Sequence, residues 1–210
     1  MKKTLVDYLF PPRCVLCHQI MENQTELGIC PNCSYEDYLN EEFQMPDGRI
    51  SFLYEDRLQR AIYRMKYGGQ KQYGRFFARW MAAEGGDWTA QQGFTCVSSV
   101  PLANSRRKSR GYNQAEIIAK ELGRLCRLPY VDLLERTKET LPQKNLGEAM
   151  RQENLKGAFR VREDIQEVPL HVCLVDDIYT TGSTVEACAG VLQQAGVEEI
   201  YYISLCIGQG

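Results

Sequence analysis

Short apolar runs and helical repeats alternate along most of this chain. Residues 170–175 form one such run, which is typical of a parallel strand covered on both faces. Residues 185–195 then place apolar side chains at helical spacing, and Gly196 provides a stop signal. Because residues 200–207 are again mostly apolar, the pattern predicts a strand, a crossover helix and a second, parallel strand. Open α/β sheets bind ligands at the carboxyl ends of such strands.

The same pattern predicts further elements upstream. Strands are expected in four places: residues 51–54, 95–100, 131–134 and, at an edge, 158–161. Three helices are expected, of which the first ends at Gly68, the second ends at Gly85, and the third extends to about Leu125 on its buried face. Tyr63 is assigned to the buried face of the first helix. Lys66, beside Tyr67 and two glycines, is expected in solvent, and the alternative is a position near a ligand. The predicted fold class is α/β, with an open parallel sheet flanked by helices.

The loop that follows residues 170–175 combines acids with hydroxyls. Asp176 and Asp177 come first, and a turn follows with five small polar residues: Thr180, Thr181, Gly182, Ser183 and Thr184. Hydroxyls, a glycine and the unpaired amides of a helix start suit a phosphate. The two carboxylates repel phosphate but suit ribose hydroxyls, or a magnesium ion through water. The alternative is an N-capping cluster without a ligand, although capping requires a single hydroxyl.

A basic run follows the predicted strand at residues 95–100. Its four cations are Arg106, Arg107, Lys108 and Arg110. These charges repel one another unless an anion joins them, and arginine binds phosphate oxygens through two parallel hydrogen bonds. The anion can be a pyrophosphate or the backbone of a nucleic acid. The alternative is a solvated basic loop without a ligand.

Nine cysteines divide into two kinds. Cys14, Cys17, Cys30 and Cys33 form two Cys-x2-Cys pairs, and this spacing is typical of a closed structural zinc site. A disulfide framework is the alternative, which a reducing cytosol disfavours. The other cysteines lie in apolar surroundings and are expected to be core residues. A boundary rich in acidic and turn residues near 41–49 predicts a zinc-binding module at residues 1–45 and a second domain at residues 50–210.

Charge and hydropathy restrict the compartment and the class of partner. The net charge of the 210 residues is −2, so no global cationic field attracts nucleic acid. No apolar run approaches the roughly 18 residues that a membrane span needs. The N-terminus begins like a signal peptide, but Asp7 and Pro11 interrupt its apolar run. The sequence therefore predicts a cytoplasmic protein without a membrane span.

Residues 175–182 resemble the phosphoribosyl pyrophosphate (PRPP) motif of type I phosphoribosyltransferases. The resemblance implies the type I phosphoribosyltransferase fold, with PRPP bound together with Mg²⁺. It also implies that Asp176 and Asp177 hold the ribose hydroxyls as the catalytic acid pair, while the turn at residues 180–184 holds the 5′-phosphate. Proteins of this type carry a mobile flap, for which the long polar segment at residues 135–159 is the candidate. The alternative for that segment is a peripheral helix near residues 147–154.

Four stretches together resemble the ComF family (ComFC/GntX-like). They are the four-cysteine module, residues 106–114, residues 140–154 and the PRPP motif. The resemblance implies a role in natural competence, the uptake of DNA as a single strand, with a helicase-like competence ATPase as partner. Two alternatives stay open: a salvage phosphoribosyltransferase that acts on free nucleobases, and a non-catalytic module that binds DNA or the helicase.

Overall fold

The computed structural model describes residues 10–41, 44–45, 47–91, 93–138 and 155–208. The strands in these ranges are β1 Gln44–Met45, β2 Gly48–Leu53, β3 Cys96–Ser99, β4 Leu134–Arg136, β5 Phe159–Val161, β6 His171–Tyr179 and β7 Glu199–Ile207. The α-helices are α1 Asp56–Tyr67, α2 Tyr73–Gln91, α3 Asn104–Arg110, α4 Gln114–Cys126 and α5 Ser183–Gln194, and a 3-10 turn spans Glu36–Tyr38.

Strands β1, β2, β7, β6 and β3 form the main sheet of the described chain, in that spatial order. Strand β2 pairs with β7, β7 with β6 and β6 with β3, and each of these pairs is parallel. Since parallel strands end at the same edge, the segments that follow β3 and β6 lie side by side. A separate two-stranded sheet joins β4 to β5.

Two hydrophobic clusters cover the two faces of the main sheet. One contains apolar side chains from α1, α2 and α4, including Leu58, Trp80 and Ile118. The other joins α5 to β4 and β5, through residues such as Leu134 and Leu192. The predicted α/β class, with an open parallel sheet between helices and a four-cysteine module, is confirmed.

The four-cysteine module shares a core with the sheet. Cys14, Leu16 and Tyr35 belong to the same hydrophobic cluster as Trp80. The ring of Tyr35 stacks on that of Trp80, with centroids 5.5 Å apart. The predicted division into residues 1–45 and 50–210 stays a prediction, but the two parts are packed against each other.

Several expected boundaries are wrong. Helix α2 continues past Gly85 to Gln91, because a helix tolerates glycine when its other turns are packed. Leu125 is 36% exposed and Tyr63 61% exposed, so neither belongs to a buried face. Strand β6 does not end before the acid pair. It runs on to Tyr179, since its last residues pair with β7. The basic run forms a helix, α3, rather than a loop.

Two further expectations concern residues 131–161. The strand expected at residues 131–134 lies at Leu134–Arg136, and the expected edge strand is β5. Most of the candidate flap, residues 139–154, lies outside the described residues. The flap and the alternative peripheral helix therefore both stay predictions.

Candidate functional site

Four cysteine thiols meet near the start of the described chain. Cys14 and Cys17 come from one turn and Cys30 and Cys33 from another, and all four Sγ atoms lie within 4.8 Å of one another. The Sγ atoms of Cys17 and Cys30 are 3.7 Å apart. Sulfurs bound about 2.3 Å from one tetrahedral zinc ion are separated by about 3.8 Å. The spacing of the four thiols therefore fits zinc.

The pKa values of the cysteine thiols also fit a bound divalent cation. Burial opposes ionisation of Cys14, but the backbone N–H groups of Cys17 and Cys30 outweigh burial and lower the pKa of Cys14 to about 7. Burial and then the neighbouring thiols raise the pKa of Cys33 to about 12. Four crowded sulfurs cannot all ionise unless a cation neutralises them. These cysteines would hold Zn²⁺, and a set of four sulfurs leaves no coordination position for chemistry.

Helix α1 holds the cysteine cluster against the sheet. Arg64 donates from Nη2 to the carbonyl oxygens of Val15 and Leu16, at 2.7 and 2.9 Å. Arg57 donates to Sγ of Cys33 over 3.5 Å. Because Val15 and Leu16 lie between the first two cysteines, the metal site and α1 position each other. The adjacent His18 bonds to the hydroxyl of Tyr73 rather than joining the four sulfurs.

The same helix contacts the acid pair. Lys66 forms an ion pair with Asp177, and the two side chains are 15% and 8% exposed. The expectation of a solvated Lys66 is therefore wrong. Adjacent strand residues point to opposite faces of a sheet. Asp177 consequently faces α1, and Asp176 faces the side that carries α5. The backbone N–H of Asp177 donates to Oδ1 of Asp176 at 2.8 Å.

The two carboxyl groups differ in their ionisation. Burial and then the charge of Asp177 raise the pKa of Asp176 well above its usual range. Burial would also raise the pKa of Asp177, but the positive charge of Lys66 outweighs it and lowers that pKa. Asp177 is therefore the ionised member of the pair. A cation that approached Asp176 would favour ionisation of its carboxyl as well.

A tight turn joins β6 to α5. Gly182 has φ +81°, and a Cβ at this position would lie 2.7 Å from the hydroxyl of Tyr179. The hydroxyls of Thr181 and Ser183 are 3.0 Å apart. Ser183 is the first residue of α5, and the first amides of a helix have no carbonyl partner within it. Together with the exposed Thr180, the turn offers hydroxyls and amides to an anion.

Replacing Gly182 with alanine is expected to lower the free energy of unfolding by about 1–3 kcal/mol, because a left-handed φ and a close contact oppose a Cβ. Gly190→Ala is the matched control, since no atom lies within 4 Å of a Cβ at that helical position. The control is expected to stabilise the protein by about 0.5–1 kcal/mol. Urea unfolding measures both. Equal effects of the two changes would contradict the assigned turn.

The basic helix α3 lies at the same edge of the sheet as the acid pair. Arg110 lies over the ring of Tyr67, 5.2 Å from its centroid, and its charge is close enough to lower the pKa of Asp177 after Lys66. Arg107 pairs with Glu116 at 3.1 Å. Arg106 and Lys108 are exposed, so the structure brings only Arg110 of this run to the acid pair.

Comparisons with known proteins match one family model and several curated relatives. Residues 5–43 match the family described as "Double zinc ribbon domain". Competence protein F of Haemophilus influenzae is 40% identical over 106 residues, which cover 50% of this chain and 46% of that protein. Competence protein ComFC of Streptococcus pneumoniae is 27% identical over 186 residues, which cover 84% of this chain and 79% of that protein.

The chain is similar to the ComF and YhgH proteins. DNA utilization protein YhgH of Escherichia coli K12 is 35% identical over 111 residues, 52% of this chain and 48% of that protein. The chain thus spans about half the length of the first curated relatives it matches. No helix of its described residues is long and apolar enough to cross a bilayer.

Solved phosphoribosyltransferases are structural neighbours of this chain. The adenine enzyme of Giardia lamblia, complexed with 9-deazaadenine, has a TM-score of 0.41 and 16% identity, and the match covers 71% of this chain and 86% of that one. A hypoxanthine phosphoribosyltransferase of Staphylococcus aureus has a TM-score of 0.38 and 14% identity, covering 64% and 62%.

Sequence reasoning considered Lys66 as a residue near a ligand but favoured a solvated side chain. One signal was available: Lys66 lies four residues after Ile62 and next to Met65, and both of those residues are fully buried. A lysine at the border of a buried stripe reaches either solvent or a buried acid. The choice between them depends on β6, which lies more than a hundred residues later in the chain.

Proposed function

We propose that this chain binds PRPP at the sheet edge formed by Asp176, Asp177 and the turn at residues 180–184. The observation that carries the proposal is the placement of an acid pair and an anion-binding turn on one central strand and the helix after it. The carboxylates would accept hydrogen bonds from the ribose hydroxyls. The turn and the amides of α5 would receive the 5′-phosphate.

The pyrophosphate of PRPP requires positive charge. Arg110 is the residue of the basic run that lies nearest the acid pair, and Lys66 neutralises Asp177. Mg²⁺ prefers carboxylate oxygens, and Asp176 has no ion pair with a cation among the described residues, so Asp176 would hold the metal. When bound, Mg²⁺ would neutralise negative charge on the pyrophosphate.

In a transfer reaction, the bond between ribose C1 and the pyrophosphate oxygen breaks and an acceptor atom bonds to C1. Pyrophosphate keeps the bonding electrons. The sugar is cationic in the transition state, so the chain needs positioning and charge rather than a nucleophile. Asp177 would hold the ribose, and Arg110, with Arg107 beyond it, would face the departing pyrophosphate. Retained transferase activity is part of this proposal.

The similarity to ComF and YhgH proteins supports a cellular role for this chemistry. Relatives are named competence and DNA utilization proteins. We therefore place the PRPP site in the uptake or processing of single-stranded DNA, with a helicase-like ATPase as the expected partner. Base salvage is the weaker alternative, because it gives no task to a four-cysteine module.

Calorimetric titration with PRPP and Mg²⁺ tests the proposed site. Asp176→Asn/Asp177→Asn is expected to weaken binding by about 2 kcal/mol or more, because charge-assisted hydrogen bonds are lost. Asp164→Asn is the control, since the partner of that exposed carboxylate among the described residues is Arg162. Circular dichroism checks that each variant is folded. Absence of PRPP binding to the wild-type protein would overturn the proposal.

Release of pyrophosphate separates the alternatives once PRPP is bound. Release that requires a free purine or pyrimidine base would favour salvage. Release in the presence of single-stranded DNA, but not of free bases, would favour the competence role with an acceptor on DNA. Binding of PRPP without any release would leave a non-catalytic module that uses PRPP as a ligand.

A further inference from the structure

Two tyrosines project from the outer face of α1. Tyr63 is 61% exposed and Tyr67 67% exposed, and both belong to the small set of large exposed apolar side chains in the described chain. Their ring centroids are 4.9 Å apart and the rings are inclined at 48°. Residues four apart lie one above the other on a helix. The two rings therefore form a continuous aromatic surface that packing does not explain.

Cations surround this aromatic surface. Arg110 of α3 lies over the Tyr67 ring at 5.2 Å. The exposed Arg60 precedes Tyr63 by three residues, so it lies on the same face of α1. Helix α1 contains four basic residues and one acidic residue, and α3 contains four basic residues and no acidic one. Several of these cations have partners elsewhere: Arg57 and Arg64 contact the cysteine module, and Lys66 pairs with Asp177. The exposed Arg60, Arg106 and Lys108 supply the positive charge near the rings.

The two helices are held in fixed positions next to each other. The hydroxyl of Tyr112, which follows α3, donates to the carbonyl oxygen of Met65 on α1. Arg64 and Lys66 tie α1 itself to the cysteine module and to Asp177. The positions of the tyrosine surface and of the exposed cations Arg106 and Lys108 are therefore fixed relative to each other.

We propose that Tyr63, Tyr67 and Arg110 form a stacking site for the unpaired bases of single-stranded DNA, whose phosphates contact Arg60, Arg106 and Lys108. Stacked aromatic side chains beside a basic track are the usual means of binding a single strand without sequence preference. A duplex buries its bases and would leave both rings without a partner. This inference rests on the proposed role in DNA handling, but it does not require PRPP binding.

Fluorescence anisotropy of a labelled 15-nucleotide oligo(dT) tests the site. Tyr63→Ala/Tyr67→Ala is expected to weaken binding by about 10- to 100-fold, the effect of removing base stacking. Tyr63→Phe/Tyr67→Phe keeps both rings and is expected to bind within about threefold of the wild type. Leu170→Ala is the matched control, because this 51% exposed side chain precedes β6 at the opposite edge of the sheet.

Salt dependence separates the two kinds of contact. Arg106→Gln/Lys108→Gln is expected to reduce the slope of log K against log salt by about 0.7 for each cation, whereas the double alanine variant is expected to keep the wild-type slope. Wild-type affinity of the double alanine variant would overturn the stacking site, and so would tighter binding of duplex than of oligo(dT).

A variant of the acid pair distinguishes this proposal from the proposed function. Asp176→Asn/Asp177→Asn is expected to lose PRPP binding and to bind oligo(dT) like the wild type. Loss of oligo(dT) binding in this variant but not in the double alanine variant would assign DNA to the acid-pair edge and overturn the stacking site. Failure of PRPP binding alone would overturn only the proposed function.

Discussion

Extraction of the metal from the four-cysteine site is expected to lower the free energy of unfolding by more than about 5 kcal/mol. Structural zinc in small modules contributes about 10–16 kcal/mol, because the site does not exist in the unfolded chain. Part of the module here is also held by the shared core around Trp80, which reduces the dependence on metal. Cys14→Ser/Cys17→Ser is also expected to lower the free energy of unfolding, since it removes half of the zinc ligands.

The effect of metal loss should extend beyond the cysteines. Arg64 bonds to carbonyl groups between Cys14 and Cys17, and Arg57 bonds to Cys33. Loosening the module releases Arg57 and Arg64 of α1, and Lys66 lies on the same helix. PRPP affinity, if the proposed site is present, should therefore fall together with zinc content.

Zinc content and thermal unfolding check this prediction. Released zinc is expected at one ion per chain. Cys96→Ala is the control, since it removes a buried thiol from the other hydrophobic cluster and leaves the four ligands intact. The control change should lower the free energy of unfolding by about 1 kcal/mol and leave the zinc content unchanged. A metal-free protein as stable as the metal-loaded one would contradict a structural zinc site.

Replacing Lys66 with methionine is expected to lower the free energy of unfolding by about 3–5 kcal/mol. The change keeps most of the side-chain volume but leaves the carboxylate of Asp177 buried without its cation. Lys66→Met/Asp177→Asn removes both charges and is expected to recover part of the loss. Urea unfolding of the two variants and of Asp177→Asn completes a double-mutant cycle.

The decrease in the free energy of unfolding caused by Lys66→Met should become smaller as the pH falls. In the wild type, Lys66 lowers the pKa of Asp177. The contribution of this carboxylate is therefore present above the unfolded pKa, about 3.9, and is lost as the pH falls through the lower folded value. In the variant, burial alone raises the folded pKa, so the destabilisation appears as the pH rises through that value. A loss that is independent of pH would contradict the ion pair.

Local patterns predicted much of the fold. The apolar run before Asp176 predicted β6, and the helical repeat after Gly182 predicted α5, because each pattern records burial within one element. The two Cys-x2-Cys pairs predicted that four thiols meet at one site, because the two cysteines of each pair lie within one turn. The ends of elements were less certain. Strand β6 continued through the acid pair, because pairing with β7 decides its length.

The sequence alone determined which residues are candidates for chemistry in this chain: the four cysteines, the acid pair, the hydroxyl turn and the basic run. Only the tertiary structure decided their neighbours. Lys66 reaches Asp177, Arg64 reaches the cysteine module, and Arg110 meets Tyr67. These contacts join residues that are distant in the chain, and their existence depends on strand order and helix packing. The periodicity within a single element does not record such contacts. For this reason the sequence pattern placed Lys66 in solvent, although its side chain contacts the buried Asp177.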